Sequence, residues 1–221
     1  MRSVEDHFNN IAGDYDKYKK KNRYYYENLK KLLANYIEPG KKVLEVGCGT
    51  GDLLISLNPS VGYGTDISNE MIKIAKSKYK SKNNIHFSTK SVNRYKNIKP
   101  DYIFMSDVSE HLENPQKMLK NISSIMTSST VFINTYANPL WEPVLLVAEK
   151  LGLKMPEGKH KRYCFSLLKQ YYQNAGLKIT EHNRTLLAPA KFFGLSDIIN
   201  RYLSDTLNKI CFIEYVVAKK K

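Results

Sequence analysis

Short apolar runs alternate with amphipathic stretches through the first 135 residues of the chain. Leu29, Leu32, Leu33 and Tyr36 recur at helical spacing within a segment from Asp14 to Ile37, and Pro39-Gly40 ends it. Val43, Leu44 and Val46 then form a run that breaks into glycines, the pattern of a buried strand entering a loop, and Asp52 opens a helix to Leu57. The rhythm repeats. Strands are expected at Val61 to Thr65, Ile85 to Phe87, Asp101 to Met105 and Thr130 to Thr135. Between them lie a helix at Asn69 to Lys80, carrying Met71, Ile72 and Ala75, and another opened by Pro115, with Met118, Leu119, Ile122, Ile125 and Met126 on one face. Strands alternating with helices at this spacing imply βαβ units, right-handed crossovers and a mostly parallel sheet.

After Tyr136 the pattern changes. In Pro139 to Leu153, Trp141, Val144, Leu145, Ala148 and Leu151 share a helical face that Leu146 and Val147 widen, so this helix is expected to be buried or to touch something greasy. A helix at Phe165 to Ala175 closes on Gly176, a strand follows at Leu177 to Leu187, and Phe192, Leu195, Ile199 and Tyr202 make a second amphipathic stripe. Ile210 to Ala218 reads as the last strand.

Composition narrows the class. The 221 residues carry 35 Lys and Arg against 21 Asp and Glu, a net charge of +14, with 42% hydrophobic residues. Disorder, collagen and coiled coil are disfavoured, and one domain over 1–221 is the simplest parse. The beginning MRSVEDHFNN has no apolar targeting core, and no stretch reaches the roughly 18 apolar residues of a spanning helix, so a cytoplasmic protein is expected. Cys48, Cys164 and Cys211 are too widely spaced for a CxxC pair and read as reduced thiols. The positive charge suits an anionic partner such as nucleic acid, a membrane surface or a phosphorylated substrate, although much of it is Lys scattered along helices, which also fits a solvated surface.

The segment VLEVGCGTGDLL, residues 43–54, carries the chemistry. A strand, then Gly47, Gly49 and Gly51, then a helix lets a ligand approach the backbone closely. The spacing is GxGxG rather than GxGxxG, and Asp52 stands where a pyrophosphate needs bare helix N–H groups, which argues against a dinucleotide. Carboxylates on both sides, Glu45 and Asp52, suit instead a ligand bearing an ammonium and a sulfonium, such as S-adenosylmethionine. Asp66, 19 residues after Gly47 and at the end of the second strand, can accept both ribose hydroxyls, and Ile67 can lie against adenine.

These residues resemble the class I S-adenosylmethionine-dependent methyltransferases, and DYIFMSDVSEHLENP, residues 101–115, resembles the corresponding segment of the branch that methylates quinols and other small molecules or lipids. The resemblance covers most of 1–135 and the final strand. It implies an α/β, Rossmann-like, doubly wound seven-stranded sheet with an antiparallel last strand. An N-terminal helical lid over 1–40, a cofactor-binding core at 41–135 and acceptor-side insertions at 136–221, after the fifth strand and between the last two, complete that expectation. It places Glu45, Gly47, Cys48 and Gly49 at the methionine portion, Asp66 at the ribose, Ile67 at the adenine, and Ser106 and Asp107 on the pocket floor, with Met71 on the cofactor side. Tyr15 or Tyr18 of the lid falls near the donor. An acidic residue common after the third strand is missing, where the chain reads Ser-Thr-Lys90-Ser91-Val92, so backbone at Ser91 or Val92 would take its contact. S-adenosylhomocysteine would be the product.

Asp107, Glu110 and His111 form D-x-x-E-H, which reads as a divalent-cation site, as a general base or orienting group at His111, or as a buried structural histidine. No metal is assigned. His160 is a second catalytic candidate or an exposed loop histidine among basic neighbours, and Trp141 is a core anchor or a wall of the acceptor pocket. Lys19 to Tyr26 interleaves basic and aromatic residues, as RNA-binding surfaces do, or gives a lid a solvated basic face. The expected reaction is methyl transfer to a hydroxyl of a small aromatic or lipid-like acceptor. That acceptor would be met at an anionic membrane periphery through residues such as Leu145 and Leu195. An RNA methyltransferase or a non-catalytic adapter that keeps the fold is the alternative.

Overall fold

The computed structural model describes residues 3–156, 158, 160–191 and 194–221. Seven strands form one sheet in the order β3-β2-β1-β4-β5-β7-β6. They are β1 (Lys42–Val46), β2 (Val61–Thr65), β3 (Ile85–Ser88), β4 (Tyr102–Ser106), β5 (Val131–Ala137), β6 (Leu177–Thr185) and β7 (Ile213–Lys220). The first five are parallel, with Val43 opposite both Gly62 and Tyr102, whereas β7 runs antiparallel to both β5 and β6. This is the expected doubly wound, Rossmann-like sheet, and the order reverses at β1 and β4, where such sheets open a crevice beyond the strand ends.

Alternation along the strands builds two cores. Val43, Phe104, Ile133 and Val217 face one layer, where Leu29, Leu33, Leu54 and Ile72 meet them. Those residues come from α2 (Arg23–Ala34), α3 (Asp52–Ser56) and α4 (Asn69–Lys78). Leu44, Ile103, Phe132 and Val216 face the other, against Leu119 and Ile122 of α5 (Pro115–Ile125) and Leu168 and Tyr172 of α7 (Phe165–Asn174). The period of two in the sequence therefore decides which helices each strand residue touches.

Three departures from the sequence reading matter. The N-terminal helix begins ten residues earlier than expected: α1 (Val4–Lys21) starts at a capping box, in which Ser3 Oγ accepts from Asp6 N at 3.1 Å and Asp6 Oδ2 from Ser3 N at 3.2 Å. It breaks at Asn22 before α2. The last strand begins at Ile213, three residues late, because Asn208–Ile210 form a 3-10 turn. In α6 (Glu142–Lys150) the residue turned inward is Leu145, while Val144, Leu146 and Val147 are exposed, so Leu145 belongs to the core and not to a membrane-facing stripe.

Trp141 is an anchor: its Nε1 donates to the Ile210 carbonyl at 2.8 Å and its ring meets Phe212 edge-on at 5.3 Å. Leu195, Ile198 and Tyr202 of α8 (Leu195–Tyr202) are exposed as well, and Phe192 lies outside the described residues. Cys48 and Cys211 are buried and Cys164 is exposed, all three as free thiols. No helix among the described residues is long and apolar enough to cross a membrane.

Candidate functional site

A cavity of about 510 Å³ opens beyond the carboxyl ends of β1, β2 and β4, within the usual range for a small-ligand site. Gly47, Gly49, Asp66, Ile67, Met71, Ser91, Ser106, Asp107, His111 and Tyr15 all line it. The chain thus brings together ten positions that the sequence singled out.

The glycine turn explains the opening. Gly47 has φ +76° and a Cβ there would collide with the Val108 side chain, so only glycine lets β1 turn tightly beneath the segment after β4. Gly49, at φ +50°, sits under the Tyr15 ring, 3.1 Å from where a Cβ would stand. Asp66 ties this turn to β2: Oδ2 accepts from Gly49 N at 2.8 Å and Oδ1 from Ser68 N at 2.9 Å. Each oxygen keeps lone-pair capacity toward the cavity. Burial pushes the Asp66 carboxyl above the ordinary aspartate range, and the backbone N–H groups of Ser68, Gly49 and Ile67 offset this only in part.

Glu45 and Cys48 do not line the cavity. The Glu45 carboxylate is buried within the turn, where Oε2 accepts from Leu54 N at 3.1 Å, and burial raises it well above its usual range. Cys48 points into the core toward Gly64. Asp52 is taken up by Lys19 Nζ at 3.2 Å, Lys78 Nζ at 2.6 Å and Tyr79 Oη at 2.5 Å. The acids flanking the glycines are therefore structural in their contacts, the one clasping a helix start and the other joining α1 to α4.

Further contacts hold α1. Asp16 accepts from Thr50 Oγ1 at 2.6 Å and from Lys78 at 2.7 Å, and Asn9 Oδ1 accepts from Ser68 Oγ at 2.7 Å. Burial raises the Asp52 carboxyl, but the Lys19 charge and the hydrogen bonds from Lys78 and Tyr79 outweigh it and hold the group below the ordinary range. An acid whose pKa falls on folding contributes stability above its unfolded value, about 3.9, that is lost as pH drops toward the folded one. Protection factors of α1 amides, referred to the intrinsic exchange rate at each pH, should therefore fall selectively as pH drops below about 4, while those of β1 and β4 amides hold; an equal fall throughout would refute the clamp.

Residues from the first turns of α1, namely Val4, Glu5 and Phe8, also line the cavity and were not foreseen. Phe8 meets the His111 ring edge-on at 5.1 Å. The capping box was the available signal. After β3, Thr89, Lys90, Ser91 and Val92 form the wall where the acidic residue is missing, and Thr65 Oγ1 donates to the Lys90 carbonyl at 2.5 Å to hold that loop.

On the floor, Ser106 Oγ is buried with no hydrogen-bond partner among the described residues. Asp107 stands in the left-handed region at φ +55°, an uncommon conformation for a non-glycine residue, and its Oδ2 accepts from Tyr25 Oη at 2.6 Å. Tyr25 comes from α2, so both N-terminal helices reach the site, α1 through Tyr15 in the cavity wall and α2 through this contact.

The D-x-x-E-H residues have different surroundings. His111 faces the cavity, whereas Glu110 Oε1 accepts from Arg162 Nη1 at 3.0 Å. Among the described residues no group of three or more His, Cys, Asp or Glu is placed to hold a metal. His160 does not line the cavity, nor is it a free loop side chain: Nε2 lies 2.8 Å from Glu142 Oε1, and its ring centre lies 6.3 Å from that of His111.

A family profile described as a methyltransferase domain matches residues 18–182. The chain is 28% identical over 194 residues to the ubiquinone biosynthesis O-methyltransferase of Coxiella burnetii, covering 80% of this chain and 81% of that protein. It is 30% identical over 135 residues to an uncharacterised protein of Methanocaldococcus jannaschii, covering 61% of this chain but only 52% of that one. Its fold superposes on the magnesium protoporphyrin IX methyltransferase of Synechocystis, solved with bound S-adenosylhomocysteine, with a TM-score of 0.70, 19% identity and 99% and 98% of the two chains covered.

Proposed function

The chain belongs to the methyltransferase-domain family, and from that premise we propose that it transfers the methyl group of S-adenosylmethionine to a hydroxyl of a small aromatic or lipid-like acceptor. The observation that carries the reading is the single cavity wall in which the glycine turn, Asp66, the post-β3 loop and His111 follow one another. The residues fit the donor. Asp66 offers acceptor lone pairs for ribose hydroxyls, Ile67 and Val92 offer apolar faces for adenine, and Gly47 and Gly49 leave room for the methionine portion against bare backbone.

Bound there, the donor supplies a methyl group already activated by its sulfonium. The chain's own task is alignment and the exclusion of water. Tyr15 and Phe8 close the roof from α1, and Asp107 and Ser106 form the floor. In this reading His111 takes the proton of an acceptor hydroxyl, a role supported by its position in the cavity wall, by the edge-on Phe8 ring and by the neighbouring His160–Glu142 pair. The similarity to a ubiquinone O-methyltransferase and the exposed apolar side chains of α6 and α8 support an apolar acceptor.

The test uses tritiated methyl donor incubated with the protein and with extracts divided into lipid, small-molecule and RNA fractions. Label is expected in base-stable form in the lipid or small-molecule fraction, as an ether would be. Label confined to RNA, or absent while calorimetry shows tight donor binding, would overturn the acceptor assignment.

A further inference from the structure

The net charge of +14 is not spread over the molecule. Residues 71–100 contain nine Lys and Arg and no Asp or Glu, so this stretch of 30 residues supplies most of the excess. All nine residues are exposed, although the Lys78 side chain is partly covered by its partners. Lys73 pairs with Glu70, and Lys78 pairs with Asp16 and Asp52. Among the described residues the other seven make no ion pair and no side-chain hydrogen bond, so their charge is available.

The topology gathers them on one edge. The strand β3 ends the sheet, with α4 packed on one face through Ile72 and Ala75 and the 3-10 segment Val92–Ile98 on the other through Val92 and Tyr95. Lys76, Lys80 and Lys82 therefore stand to one side of this edge and Arg94, Lys96 and Lys99 to the other. The exposed apolar side chains of α6 lie beyond β5, four strands or roughly 19 Å away at the usual strand spacing. A single flat bilayer thus has no reason to meet both surfaces, and the charged edge carries no exposed large apolar side chain of its own between 71 and 100.

What the edge does carry is an aromatic surface and uncharged polar groups. His86 of β3 is exposed and its ring lies 5.3 Å from that of Tyr63, tilted by 36°. Ser81, Asn83, Asn93 and Asn97 are exposed between the cations. Cations that follow a backbone, rings on which a base can stack, and short polar side chains able to meet a 2′-hydroxyl are the chemistry of single-stranded RNA. We propose that the β3 edge binds single-stranded RNA, its cations meeting phosphates on both sides of the strand and His86 with Tyr63 receiving a base. Of the nine cations only Lys90 also lines the cavity, so the edge docks RNA without presenting it as the methyl acceptor, and the inference stands apart from the acceptor assignment.

The experiment measures fluorescence anisotropy of a labelled mixed-sequence RNA oligonucleotide with the full chain from about 50 to 200 mM potassium chloride. Neutralising three to five phosphates predicts a log–log salt slope of about −2 to −3.5. A quadruple variant, Lys80→Glu, Lys82→Glu, Arg94→Glu and Lys96→Glu, should bind at least about tenfold more weakly with a shallower slope, while its donor affinity by calorimetry is unchanged. His86→Ala should weaken binding at every salt concentration without changing the slope. No binding by the parent at low salt, equal binding by the quadruple variant, equal or tighter retention of DNA of the same sequence, or stronger sedimentation with phosphatidylglycerol vesicles would each overturn the proposal.

Discussion

Asp66→Asn should abolish useful donor binding while leaving the protein folded. The carboxylate accepts from Gly49 N and Ser68 N through different oxygens, and both oxygens retain capacity toward the cavity. An amide keeps one oxygen only, so its NH₂ group must face one of the two N–H donors, and the glycine turn loses its tie to β2 as the ribose loses an acceptor. Hydrogen bonds to charged groups contribute about 1.5–3 kcal/mol each, so loss of two corresponds to a fall in affinity of about 100-fold or more. Calorimetry with S-adenosylhomocysteine measures this directly. The pH dependence has a definite sign: because burial holds this acid above the ordinary aspartate range, parent affinity should decline on acidification before a solvent-exposed aspartate would protonate, and the Asn variant should lack that decline. An Asn variant that binds within about tenfold of the parent would remove Asp66 from the site.

The sequence made this part of the molecule readable because local rules govern it. A strand that breaks into glycines has few conformations available, and an acid at the end of the next strand is brought alongside by parallel pairing, Val46 standing opposite Thr65. The surroundings of the flanking acids were not readable in the same way. Glu45 and Asp52 look alike as charges beside glycines, yet one turns inward to Leu54 N and the other is claimed by Lys19 of a helix 33 residues earlier. Arg162 reaches Glu110 across 52 residues and decides what that carboxylate meets. The start of α1 was hidden for a related reason. Asn9, Asn10 and Gly13 are poor helix formers, and Asn9 is held by Ser68 and the Glu70 backbone from another element. Net charge was legible as a total, but its concentration on one sheet edge needed the topology that ends the sheet at β3.

His111→Ala should lower the turnover number for a hydroxyl acceptor by about 100- to 10,000-fold, the usual worth of a positioned general base. The ring stands in the cavity wall, steadied edge-on by Phe8, and its loss leaves the Asp66 end untouched, so donor affinity should be preserved. That split between turnover and donor binding distinguishes a base from a merely structural histidine, whose removal would loosen α1 at Phe8 and weaken both. His160→Asn should have a smaller effect, because its ring lies 6.3 Å from His111 and its nitrogen is engaged with Glu142, so it acts through its neighbour. Turnover within about tenfold of the parent would transfer the proton-accepting role elsewhere on the floor. Asp107 is then the group to test, because it already accepts a hydroxyl hydrogen bond from Tyr25 at 2.6 Å.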